Sequence, residues 1–215
     1  MVSYIYGVIR MCGRYVALTD IEYDEIQSII DEVSREFKNL ENIAKGEVFP
    51  TNIAPVICEE KGRIVLTAMK WSYGQYSGRP IINARGETIN SKSMFRDSFH
   101  QRRCLIPAKA YFEWKKEEGA KKKTKFEIYV PQNKVFFMAG IYNVFKDNNG
   151  GQYTGYAVIT TEANPTTASI HDRMPVIIEP GWERLWLRTQ SDNMGPLIEM
   201  LKPYTYSDMA MNAVG

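Results

Sequence analysis

Along this chain, short runs in which apolar and polar residues alternate predict strands, because a period of two puts successive side chains on opposite faces. CGRYVAL (12–18) alternates in this way. RIVLTAMKW (63–71), KFEIYV (125–130), KVFFMAGIYNVF (134–145) and YTGYAVITT (153–161) also read as strands. One segment departs from the rule. In DIEYDEIQSIIDEVSREFKN, the residues Ile26, Ile29, Ile30, Val33 and Phe37 recur at helical spacing and acidic residues crowd the first turn. That pattern predicts a helix over about residues 20–38. NPTTASI and PGWERLWL predict short later helices, and the polar, Gly-centred WKKEEGAKKKTK (114–125) predicts a long hairpin tip. The expected class is α+β: a single β-rich domain, a barrel-like mixed sheet flanked by helices. No repeat, low-complexity linker or break in composition marks a second domain.

With 215 residues the chain can bury a sizeable core. No apolar run approaches the roughly 20 residues that span a bilayer. The leader MVSYIYGVIR (1–10) has no basic n-region and no small-residue cleavage site, so it fails as a signal peptide. The expected location is the cytoplasm. Cys12, Cys58 and Cys104 stand far apart with no C-x-x-C pair, and His100 and His171 are the two histidines. This argues against zinc and against a disulfide framework, so no metal or cofactor is expected. Net charge is +2, but residues 79–125 hold 13 Lys/Arg against 5 Asp/Glu, while both flanks are acidic. A basic middle suits an anionic partner; a solvated lysine-rich loop gives the same count.

Four stretches are dense in reactive residues: MCGRY (11–15), INARGET (82–88), AYFEW (110–114) and IHDRMP (170–175). If translation begins at Met11 and that residue is removed, Cys12 carries a free amine and a thiol on neighbouring carbons. An α-amine has a pKa of about 7.7–8.0, so a useful fraction is neutral near pH 7. A neutral amine attacks an aldehyde to form a Schiff base, and the adjacent thiol closes a thiazolidine ring. An internal cysteine cannot do this, and a small buried residue is the ordinary alternative. Glu113, between Phe112 and Trp114, is either a general acid/base with a raised pKa or a residue alternating out to water. His171 is a proton shuttle or a loop-bonding histidine. Asn83 and Arg85 fit phosphate or sugar contacts, or an ordinary turn. His100 is assigned no role.

Taken in order, MCGR, N-x-AP at Asn52–Pro55, INARGET with SKSMF at Ser91–Phe95, RRCLIPAxxYFEW and IHDRMP resemble the SRAP family, the SOS-response-associated peptidases. These are understood as abasic-site processing proteins. The resemblance runs from about residue 11 to about residue 180. It implies a compact β-rich fold with a groove for single-stranded DNA and an N-terminal cysteine at its end. It further implies a covalent thiazolidine crosslink between Cys12 and the ring-opened aldehyde of an abasic site, which shields the lesion from β-elimination. By matched position, Cys12 is the nucleophile, Asn83 orients the aldehyde, Glu113 transfers protons and His171 assists ring opening. Arg14 and Arg85 hold phosphates, and Trp71 and Met94 stack on or wedge between bases. The partner implied is single-stranded DNA containing abasic sites, with no membrane, a monomeric protein, and nucleoid association while bound. Two departures stand out. WSYGQYSGRP after Trp71 lacks the family's second Trp, and YTYSDMAMN only loosely echoes its C-terminal segment.

The leader bears on the chemistry, because with residues 1–10 attached Cys12 has an amide nitrogen. A start at Met11, with residues 11–215 forming the domain, is the favoured expectation. Clipping of a genuine leader is the second possibility, and a retained leader on a non-covalent binder of single strands is the third. If retained, Tyr4, Tyr6, Val8 and Ile9 have the pattern of a strand. A thiol peptidase or N-terminal-nucleophile hydrolase using Cys12 is the other enzymatic alternative.

Overall fold

The computed structural model describes residues 12–34, 37–38, 42–117, 119, 122–147, 149–189, 192–205 and 209–214. The leader 1–10, and the strand expected within it, lie outside the described residues. In chain order the strands are β1 (Arg14–Val16), β2 (Glu32–Val33), β3 (Glu47–Val48), β4 (Ile53–Glu60), β5 (Arg63–Lys70), β6 (Gln75–Tyr76), β7 (Arg79–Pro80) and β8 (Asn83–Arg85). Then come β9 (Arg103–Ala108), β10 (Ala110–Lys115), β11 (Thr124–Tyr129), β12 (Phe136–Lys146), β13 (Gln152–Glu162), β14 (Arg173–Pro175), β15 (Ile177–Ile178) and β16 (Ala210–Ala213). Four short α-helices, Gly86–Ile89, Ser93–Gln101, Glu183–Arg188 and Gly195–Glu199, and a 3-10 helix, Asp20–Ile26, accompany the strands.

Five strands form a ring. β13 pairs with β12, β12 with β9, β9 with β4 and β4 with β5, and β5 returns to β13 through Gly155 opposite Lys70. The ring opens with a tight hairpin between β4 and β5 at Lys61-Gly62, both residues having positive φ, the geometry that matches strand twist. It closes where a side chain cannot fit. A Cβ on Gly155 would lie 2.0 Å from the carbonyl oxygen of Ser72. A second sheet, in the order β16-β11-β10-β1-β3, packs on one side of the ring.

Alternation distributes the core. Val56, Cys58, Val65, Cys104, Ile106, Met138, Tyr156 and Val158 face the second sheet and meet Tyr15, Val48, Tyr111 and Ile128. The intervening Ile57, Ile64, Leu66, Leu105, Ala139, Ile141 and Ile159 face the helices and meet Phe95, Phe99, Trp186 and Leu197. Both faces are covered, which is why these strands read as continuous apolar runs. The buried Arg103 guanidinium is satisfied by the carbonyls of Phe99, His100, Trp186 and Thr189.

Two expectations need correction. In place of one continuous helix over 20–38 there is a 3-10 helix at Asp20–Ile26, followed by β2. The amides of Asp31 and Ser34 bond the carbonyls of Ile64 and Leu66, so the backbone is claimed by the free edge of β5. Ile26, Ile29, Ile30, Val33 and Phe37 still pack on the core, but from a 3-10 helix, a turn, a strand and the residues after it in place of one helical stripe. Tertiary pairing overrides helical spacing here. NPTTASI forms successive turns, not a helix; Asn164 holds them, its amide donating to Tyr204 O and its oxygen accepting from Thr167. The strands expected at 12–18, 63–71, 125–130, 134–145 and 153–161 are present, shifted by a few residues, and β10 and β11 form the expected hairpin.

Candidate active site

β1 lies antiparallel to β10, with Tyr15 opposite Tyr111 and Arg14 opposite Phe112. This register delivers Cys12, just ahead of β1, to Glu113. The nitrogen of Cys12 donates to Oε1 of Glu113 across 101 residues of sequence. Cys12 is 1% exposed and has φ +32, a region a non-glycine residue rarely occupies. Such backbone strain costs on the order of 1–3 kcal/mol and is held by its surroundings.

Glu113 is an interior carboxyl. Burial, outweighing the bond from Cys12, pushes its pKa up to about 7. Its second oxygen, Oε2, is buried without a hydrogen-bond partner among the described residues. A carboxyl poised there can both take and give a proton near neutral pH. The Cys12 thiol is raised well above its ordinary value, first by burial and then by the charge of Glu113. It is therefore a neutral thiol until a base removes the proton.

The turns at 164–170 bring His171 to the same site. Lys123 and Asp172 act electrostatically on both Glu113 and His171, so the two share one field. Burial lowers the His171 pKa and outweighs the nearby Asp172 carboxylate. Nδ1 lies 2.9 Å from Asp172 Oδ1 and accepts the Arg173 N–H at 3.1 Å. Asp172 is well exposed and its charge is screened, so the neutral ring with its proton on Nε2 is the favoured form.

Asn83 and Arg85 occupy one face of β8, which runs parallel to β13 with Asn83 opposite Val158 and Arg85 opposite Thr160. Trp71 links this strand to β1. Its Nε1 donates to Ile82 O at 3.0 Å, its ring stacks on Tyr156, and its edge meets Tyr15. Tyr15 and Tyr156 in turn meet hydroxyl to hydroxyl at 2.6 Å.

With this geometry in view, comparison with known proteins is decisive. The model of the family described as SOS response associated peptidase (SRAP) matches residues 11–215. The chain belongs to the SRAP family. It is similar to abasic site processing protein YoaM of Bacillus subtilis, 31% identical over 93% of this chain and 88% of YoaM. It also resembles abasic site processing protein YedK of Escherichia coli, 30% identical over 84% of this chain and 81% of YedK. A crystal structure of a Bordetella bronchiseptica protein shares the fold, with TM-score 0.76 at 21% identity over 95% of this chain and all of that one.

Within this SRAP chain the candidate residues do not fall in one place. Cys12 and Glu113 touch, and His171 joins them through shared neighbours. Trp71, expected to stack on bases, is fully buried against Tyr15 and Tyr156 and offers no ring face to a ligand; it is a strut of the core. Met94 is 48% exposed at the start of helix Ser93–Gln101, and Arg85 is exposed, as contacts with a strand require. Arg14 lies on the face of β1 opposite to Tyr15, bonded to Glu47 at 3.1 Å.

Sequence reading passed over Glu87 and Arg173. The Arg173 guanidinium forks onto both oxygens of Glu87, at 2.5 and 2.8 Å, and also donates to Thr160 O. It clamps the strand after His171 to the helix after Asn83. The signal was present: a charged residue inside each of two motifs 86 residues apart. Nothing in either motif alone names the other as partner.

Proposed function

We propose that this chain processes abasic sites in single-stranded DNA, acting through Cys12 as its N-terminal residue. The observation that carries this reading is the bond from the Cys12 nitrogen to a Glu113 carboxyl whose pKa lies at about 7. Once that nitrogen is an amine, Glu113 accepts its proton. The neutral amine attacks the aldehyde carbon of the ring-opened sugar, and the carbinolamine loses water with a proton returned from Glu113. The thiol of Cys12 then passes its proton to the Glu113 carboxylate so regenerated and adds to the imine carbon, closing the thiazolidine. One C–N and one C–S bond form, the C=O bond is lost, and one water leaves. His171, neutral with Nε2–H, serves the opening of the sugar ring, and Asn83 orients the aldehyde. Arg14, Arg85 and Met94 are the contacts to the strand.

The resemblance to proteins named for abasic-site processing supports the substrate. The peptidase alternative has less support. The group bonded at Cys12 is a carboxyl that meets its nitrogen, not an imidazole paired with its thiol.

Two measurements test the proposal. The intact mass of the protein made from its own gene is expected to begin at Cys12. That form, incubated with an abasic oligonucleotide, is expected to give an adduct of summed mass less one water, lost in Cys12→Ser while salt-sensitive binding remains. An adduct that survives Cys12→Ser at full yield would sink the thiazolidine mechanism.

A further inference from the structure

The outer face of the second sheet carries a cluster that the reading above uses only in part. Arg14 on β1 and Lys125 on β11 both donate to one oxygen of Glu47, at 3.1 and 2.9 Å. Both cations also lie over aromatic rings. Arg14 sits 4.3 Å from the Phe49 centroid and 5.2 Å from that of Trp114, and Lys125 sits 3.8 Å from Phe112. By strand alternation this is the reverse side of β10 from Glu113.

We propose that Arg14 and Lys125, walled by Phe49, Phe112 and Trp114, form a binding site for a phosphodiester of single-stranded nucleic acid. Glu47 is its built-in competitor. This rests on the DNA-binding reading above and adds Lys125 and Glu47 to it. A carboxylate oxygen and a phosphodiester oxygen present the same anionic acceptor to the same two donors. Burial works against the charge of Glu47, but the bonds from Lys125 and Arg14 outweigh it and hold its carboxyl below the ordinary value. The three charged side chains remain 21–36% exposed, so Glu47 can swing to water without leaving a buried charge alone. The cations keep their aromatic contacts when the anion changes. A phosphate site beside an exposed ring, here Phe49 with the part-buried Trp114 next to it, is the combination that single strands use, with bases stacking next to a neutralised backbone.

The test is binding of an intact oligothymidylate across a salt series, with crosslinking to an abasic strand read separately. Glu47→Gln is expected to bind about 5-fold tighter, with a log–log salt slope steeper by about 0.7, one more phosphate being neutralised. Glu47→Asp, too short to bridge both cations, should shift the same way. Lys125→Met should cost less than about 2-fold in the native background and about 5-fold in the Glu47→Gln background, because only there is the ammonium free of its internal partner. Both Glu47 variants binding no tighter than the native protein would overturn the proposal. So would inorganic phosphate competing as well, per phosphate, as the oligonucleotide, which would assign the site to small anions. If the native protein binds the intact strand with this response but never crosslinks, the abasic-site reading fails and the phosphodiester site stands.

Discussion

Arg173 grips Glu87 with both arms of its guanidinium, joining the segment that carries His171 to the one that carries Asn83. The arginine is 7% exposed and the glutamate 42%, so one partner is locked in the interior while the other faces water. Arg173→Lys keeps the charge and loses the fork. It is expected to cost about 2 kcal/mol, below the range for a fully buried pair because Glu87 is partly solvated. The midpoint of urea unfolding should fall with an unchanged m value. Crosslink formation should slow as well, since His171 loses its anchor.

Glu113 gives a pH dependence whose sign follows from its raised pKa. The unfolded carboxyl titrates near 4.5 and the folded one near 7, so the folded state binds the proton more tightly. The burial cost is absent below pH 4.5, grows between 4.5 and 7, and is complete above 7. In the chain whose Cys12 nitrogen is an amide, Glu113→Gln should remove that decline and gain on the order of 3 kcal/mol above neutrality. In the form with a free amine the same change should slow crosslinking about 100-fold and remove the carboxyl's limb from its pH profile. Stability that falls with pH as steeply in the variant as in the parent would contradict the assignment.

Closure of the ring can be tested at one atom. Gly155→Ala drives a methyl group against the backbone carbonyl of Ser72, where no flexible side chain can yield. The expected loss is about 3 kcal/mol, at the upper end for overpacking, with a matching fall in thermal midpoint. A variant as stable as the parent would mean that the ring is not held shut at this point.

Trp71 and Met94 should respond in opposite ways. Trp71→Phe loses the bond to Ile82 and some core volume, costing about 2 kcal/mol of stability, and should leave oligonucleotide affinity within about 2-fold. Met94→Ala should leave stability within about 0.5 kcal/mol, as for an exposed position, and weaken binding. Calorimetry and a binding isotherm on both variants decide between them.

What could be read in advance divides along physical lines. Strands were legible because their alternation or apolar continuity reports burial directly, and the ring keeps both faces of FFMAGI (136–141) covered. The segment 20–38 was not legible, because Ile26, Ile29, Ile30, Val33 and Phe37 satisfy helical spacing while the backbone is taken by the edge of β5. A free edge belongs to another part of the chain. The motif residues Cys12, Glu113 and His171 stood out by chemical type, yet Trp71 stood out equally and proved to be core. The Arg173–Glu87 and Arg14–Glu47–Lys125 pairings depend on strand register, which no single motif encodes.

Six residues of β10 act as a divider between two chemistries. Tyr111 and Glu113 look toward the dry interior and the Cys12 nitrogen, while Phe112 and Trp114 look toward the cations outside. Because the period is two, inserting or deleting one residue in Ala110–Lys115 would exchange the sides. The Glu113 carboxyl would then face Arg14 and Lys125, where it would be ionised and spent as one more salt bridge. The strand therefore tolerates substitution far better than any change in its length, and the two faces can only change together.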